Sequence, residues 1–80
     1  MSTFADVQAM LTSKFDVKAE LIQPEAKLVD LGLDSLSIAE LIFDIGDKYD
    51  IEIPEDDLEF QTTLQDAVAL VDRLRAAKAA

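Results

Sequence analysis

Ile38, Ile42, Ile45 and Tyr49 recur at intervals of four, three and four residues. That is the repeat of an α-helix seen from its buried side, and a strand, with its period of two, cannot produce it. The run from Ser35 to Tyr49 is therefore predicted to be an amphipathic helix, with Leu41 near the edge of its apolar stripe. Glu40, Asp44 and Asp47 fall outside the stripe and line up along another face. Two more stretches share this period. In residues 3–15 it is carried by Phe4, Val7, Leu11 and Phe15, with Met10 beside them. Ser2 or Thr3 can cap that helix, and Asp6 suits its positive first turn. Near the end of the chain it is carried by Leu64, Ala67, Val68, Val71 and Leu74. Thr63 followed by Asp66 resembles a capping box, and Arg73, Arg75 and Lys78 suit the negative end of the last helix.

The segments between these helices are less regular. From Asp16 to Leu33 the period breaks down, and Val17, Leu21, Ile22, Leu28, Leu31 and Leu33 are scattered among Pro24, Gly32 and charges. So long a connection is unusual in a compact domain, and its leucines predict that it lies against the core. In "IEIPEDDLEF" the alternation of Ile51, Glu52 and Ile53 is too short to build a sheet. Pro54 suits the first turn of a short third helix that carries Leu58 and Phe60 inward. The expectation is all-α: a four-helix bundle with a long first loop and a short third helix, in one domain spanning residues 1–80. No apolar run approaches the roughly 20 residues of a membrane span, and no signal pattern opens the chain. A cytoplasmic monomer that does not insert into membranes is expected.

The residue inventory narrows the chemistry. With no cysteine and no histidine, the chain lacks thiolate metal ligands and the usual general base and nucleophile pairs. A loop begun at Asp44, Asp47 or Asp50 does not give the ligand pattern of an EF-hand. No metal site and no catalytic residue is expected. Charge is segregated: residues 30–59 hold eleven acids and one base, whereas the remainder holds six of each. Such a field disfavours nucleic acid and attracts basic partner surfaces.

Ser35 stands between Asp34 and Leu36 at the start of the acidic helix. On physical grounds it can be a helix cap, or an exposed hydroxyl that accepts a phosphate ester, which a helix N-terminus tolerates well. The stretch "DLGLDSLSIAELIFDIGDKYDIEIP" resembles the attachment segment of acyl carrier proteins. Asp34, Ser35 and Leu36 behind Leu31 and Gly32 match the family motif, as do Glu40 and Leu41, and later Tyr49, Asp50, Glu52, Ile53 and Pro54. "TTLQDAV" resembles the family's entry into its final helix.

This resemblance implies a right-handed four-helix bundle and a 4'-phosphopantetheine, taken from coenzyme A by a phosphopantetheinyl transferase and esterified to Ser35. It further implies a carrier that is not itself an enzyme and that holds acyl groups as thioesters for acyl-loading, acyl-transfer or synthase enzymes. Asp34 and Leu36 would contact partners, and Glu40, Asp44 and Asp47, with Phe43 off the core stripe, would form a docking face for their basic surfaces. Ser37, Gly46 and Lys48 depart from the acid-rich pattern of many fatty-acid carriers. A dedicated polyketide, specialised-lipid or aminoacyl carrier is therefore as consistent as one serving fatty acid synthesis. The alternative to carriage is an unmodified acidic helical interaction module.

Overall fold

A computed structural model describes residues 2–79. Three α-helices make up most of it: α1 (Thr3–Lys14), α2 (Ser35–Tyr49) and α3 (Leu64–Ala79). Among the described residues there is no strand, and the only sheet-like feature is an isolated antiparallel bridge between Lys27 and Thr63. The expected all-α class holds. The short third helix does not, because a single 3₁₀ turn, Glu55–Asp57, stands in its place. Pro54 keeps an extended ψ of 132° and does not enter the helix. By residue 60 the backbone is already hydrogen-bonded to another segment, so the chain has no length in which to extend the turn.

Local chemistry explains where each helix begins and ends. Ser2 caps α1, its Oγ accepting from the Ala5 N–H at 3.1 Å. Asp16 then turns left-handed at φ 55°, and the Val17 N–H reaches back to the Leu11 carbonyl at 2.9 Å, which satisfies one of the carbonyls left open at the helix end. Asp50 closes α2 in the same left-handed region at φ 54°, and its side chain pairs with Lys78 of α3. Thr63 caps α3, accepting from the Asp66 N–H at 3.2 Å. Gly46, inside α2, costs about 1 kcal/mol of helix propensity relative to alanine. Packing accounts for it, since a Cβ there would lie 2.9 Å from the Ile51 carbonyl oxygen.

The core takes Val7 and Leu11 from α1, Ile38, Leu41 and Ile45 from α2, and Leu64, Ala67, Leu70 and Val71 from α3. Leu41 is 1% exposed and central, not at the edge; it follows Ile38 by three residues and precedes Ile45 by four, so all three share one face. Ile42 and Tyr49 sit at the border, half-buried. The long connection packs inward as expected, through Val17, Ile22, Leu28, Leu31 and Leu33, although Leu21 faces out. Four backbone bonds hold it to the segment before α3 and to the first residues of that helix: Leu28 N–H to Thr62 O (2.9 Å), Val29 N–H to Phe60 O (3.0 Å), Leu64 N–H to Ala26 O (2.7 Å) and Gln65 N–H to Pro24 O (2.8 Å). This clasp satisfies polar backbone in a segment whose own turns are too short to do so. Leu58 is buried, but Phe60 points outward at 42% exposure, contrary to the expected inward placement.

One side of the helix packing is sealed by side-chain polar contacts. Thr3, buried, donates to the Asp72 carboxylate and accepts from Arg75 Nη1 at 2.7 Å. The Arg75 guanidinium lies over the Tyr49 ring, 4.1 Å from its centroid. The Tyr49 hydroxyl donates to Asp6 Oδ2 at 2.5 Å. All three helices meet in this chain of contacts. Burial first, and then the bond to Asp6, push the Tyr49 hydroxyl up to about 12.

Candidate functional site

Ser35 is the first residue of α2, and it is not the cap. Asp34 caps the helix, its carboxylate accepting the Ser37 N–H at 2.8 Å, while its own carbonyl accepts from Ile38 N–H at 2.9 Å. The Ser37 backbone bond, followed by that of the Ser37 hydroxyl, holds the Asp34 carboxyl below its usual range. With the capping role filled by its neighbour, Ser35 is left exposed, and among the described residues its hydroxyl has no hydrogen-bond partner. The loop before it is rigidly placed. Leu31 and Leu33 are buried on either side of Gly32, whose φ of 82° turns the chain out of the preceding 3₁₀ turn, Leu28–Leu31.

Beside Ser35 lies an open groove of about 540 Å³. One wall is a face of α2, formed by Ser35, Ile38, Ala39 and Ile42. The other is the irregular segment Leu58, Glu59, Phe60 and Gln61. The α2 residues stand at i, i+3, i+4 and i+7, so Ile38 and Ile42 of the apolar stripe also line the groove. The opposite wall could not be read, because it depends on where the clasp places residues 58–61. A tethered apolar chain leaving Ser35 can lie against Ile38, Ala39 and Ile42 without leaving a polar group unpaired.

A different face of α2 carries the proposed docking residues. Leu36, Glu40, Phe43 and Asp47 follow at i, i+4, i+7 and i+11, in one stripe that starts next to Ser35. Leu36 and Phe43 are 69% and 72% exposed, and Glu40 and Asp47 are exposed as well. Asp44 stands apart: it is half-buried and paired with Lys14 of α1 at 3.4 Å. Part of its charge is therefore met within the chain. A shallow hollow of about 320 Å³ is lined by Ala39, Glu40, Phe43 and Asp44. No helix among the described residues is long and apolar enough to cross a membrane.

Known proteins resemble this chain over most of its length. The family described as "Phosphopantetheine attachment site" matches residues 5–71. An acyl carrier protein of Campylobacter jejuni (strain RM1221) is 38% identical over 76 residues, covering 94% of this chain and 99% of that protein. One from Helicobacter pylori (strain J99) is 38% identical over 73 residues, covering 90% and 94%. One from Sulfurovum sp. (strain NBC37-1) is 35% identical over 75 residues, covering 92% and 100%.

Proposed function

The chain belongs to the acyl carrier protein family, and on that premise we propose that Ser35 Oγ bears the prosthetic group and that acyl groups travel on it between enzymes of fatty acid or related lipid synthesis. Members of this family are carriers, not catalysts, and their prosthetic group is 4'-phosphopantetheine. When attached, it supplies the thiol that a chain without cysteine lacks. One observation carries the reading: a hydroxyl with no partner among the described residues opens onto an apolar groove at the start of a helix. Asp34 supports this by keeping the helix start capped, so that the serine is spared for attachment. The first turn of α2 offers backbone N–H groups and a partial positive charge to a phosphodiester.

The same reading gives the exposed stripe of α2 the role of a docking face for a phosphopantetheinyl transferase and for acyl-loading and synthase enzymes with basic surfaces. Leu36 and Phe43 are its apolar anchors, and Glu40 and Asp47 are its uncommitted charges; Asp44, shared with Lys14, contributes less. We further take residues 1–80 as a single cytoplasmic carrier domain, in which the turn at 55–57 stands where a short third helix was expected.

Intact-mass measurement after incubation with coenzyme A and a phosphopantetheinyl transferase tests the assignment. The wild type should gain one phosphopantetheine and Ser35→Ala none, with helical circular dichroism unchanged. Because Asp34 holds the cap, Ser35→Ala should shift stability by less than about 0.5 kcal/mol, as expected of an exposed position. A mass gain persisting in Ser35→Ala would refute the site.

A further inference from the structure

Of the three carboxylates that α2 carries, Asp44 alone is paired with a cation among the described residues. Lys14 Nζ lies 3.4 Å from its Oδ2, joining the last turn of α1 to the middle of α2. The contact is loose. Its length exceeds the roughly 2.7–2.9 Å of a charge-assisted hydrogen bond, and the Lys14 side chain is 58% exposed. Lys78 is held more firmly, by both the carboxylate and the backbone carbonyl of Asp50. Asp44 also borders the shallow hollow that it shares with Ala39, Glu40 and Phe43. One carboxylate thus serves α1 on one side and adjoins the docking stripe on the other.

We propose that Lys14 is an internal competitor for the cation that a partner brings to α2, so that a partner gains Asp44 only by displacing it. It rests on the attachment at Ser35 and on the docking role given to α2. Lys14 then selects among partners, although it contacts neither the serine nor the stripe's exposed residues. A partner's ammonium would replace Lys14 by its like and gain little. A guanidinium is better equipped, because it meets a carboxylate through two parallel N–H donors and can lay its plane on an aromatic ring. Phe43, 72% exposed, stands beside Asp44 at the hollow and offers such a ring. An arginine-bearing partner therefore gains Asp44 in addition to Glu40, and a lysine-bearing one gains Glu40 alone. Removing the positive charge from Lys14 opens Asp44 to either.

The test follows modification of the full chain by a phosphopantetheinyl transferase with coenzyme A at low salt, read by intact mass. Lys14→Gln should raise kcat/KM roughly two- to five-fold, the worth of a well-placed exposed ion pair, and should act through KM. Lys14→Arg leaves net charge unchanged but should lower kcat/KM below wild type, because the guanidinium grips Asp44 more firmly than the ammonium does. Combined with Asp44→Asn, both changes should lose most of their effect, a non-additivity that bulk charge does not produce. Lys18→Gln, which removes an equal charge from an exposed lysine, should raise the rate less. Melting temperatures of the Lys14 variants should stay within about 4 °C of wild type. Equal rates for Lys14→Arg and wild type, or the same gain from Lys14→Gln with and without Asp44→Asn, would overturn the proposal. No mass gain in the wild type would overturn the attachment, and no slowing by Glu40→Lys the docking role; both are read first, and either takes the proposal with it.

Discussion

Helix α2 faces two different environments. Towards α1 and α3 it is sealed: Leu41 and Ile45 are almost fully buried, and Tyr49 is held under Arg75 and against Asp6. Towards residues 58–61 it borders an open groove, where the opposing segment is one 3₁₀ turn and irregular chain. On the sealed side, side chains are matched to one another within the protein. On the open side, Ser35, Ala39 and Phe60 are exposed groups whose partners are not supplied from within. The contrast teaches that a small domain can hold its shape with one face of a helix and leave another face open.

Four measurements would break or sharpen that contrast. Leu41→Ala should cost 2–5 kcal/mol by urea unfolding, the usual range for a buried leucine, whereas Phe60→Ser in the unloaded protein should cost under about 1 kcal/mol. Similar losses would erase the distinction between the two sides. Arg75→Ala should cost about 1–2 kcal/mol, since it removes both the ring contact and the bond to Thr3. Arg75→Lys should restore little of this, because an ammonium does not stack as a planar guanidinium does.

The third measurement concerns the outward stripe. Glu40→Lys should slow modification by the transferase several-fold at low salt and less at high salt, because exposed charges are screened beyond about 10 Å at 0.1 M. Glu20→Lys, which changes net charge equally in the balanced part of the chain, should do little. Asp6 would be a poor control, since it accepts the Tyr49 hydroxyl. Equal slowing in the two variants would mean that net charge alone matters.

The smallest effect is in alkaline titration. Tyr49 is the chain's only tyrosine, so phenolate absorbance reports it directly, and its midpoint should lie near 12 instead of 10. Its folded value is raised, so the stability it confers is complete below pH 10 and is lost as pH rises towards 12. A midpoint near 10 would show that the sealed side is open to water.

What the sequence disclosed and what it hid follow the range of the interactions involved. Helix α2 runs from Ser35 to Tyr49 as its period predicted, and Thr63 caps α3, because both depend on neighbours a few residues away. The family resemblance was legible for the same reason: Asp34, Ser35 and Leu36, which carry much of it, are consecutive. The cap on α2 was read as open to Ser35, although Asp34 was an equally good candidate and had the better position. The third helix and the inward Phe60 failed because the bonds from 26–29 to 60–64 override the local preference of "PEDDLEF". The contacts among Thr3, Asp6, Tyr49, Asp72 and Arg75 were invisible, since they join residues as far apart as the first and last helices.

The clasp between the long connection and the start of α3 has a consequence for how the chain opens and closes. Pro24 and Gln65 lie near its outer limits, and all of α2 falls in the loop between them. Forming it restricts that whole loop at once, with an entropic cost that local contacts cannot recover. The stretch from 24 to 65 should therefore order in one cooperative step, and the bonded amides of the clasp, Leu28, Val29, Leu64 and Gln65, should exchange only when the core itself unfolds. A chain built this way sets the start of α2 on ground tied to its hydrophobic centre, although the connection leading to it, from Asp16 to Leu33, reads as irregular.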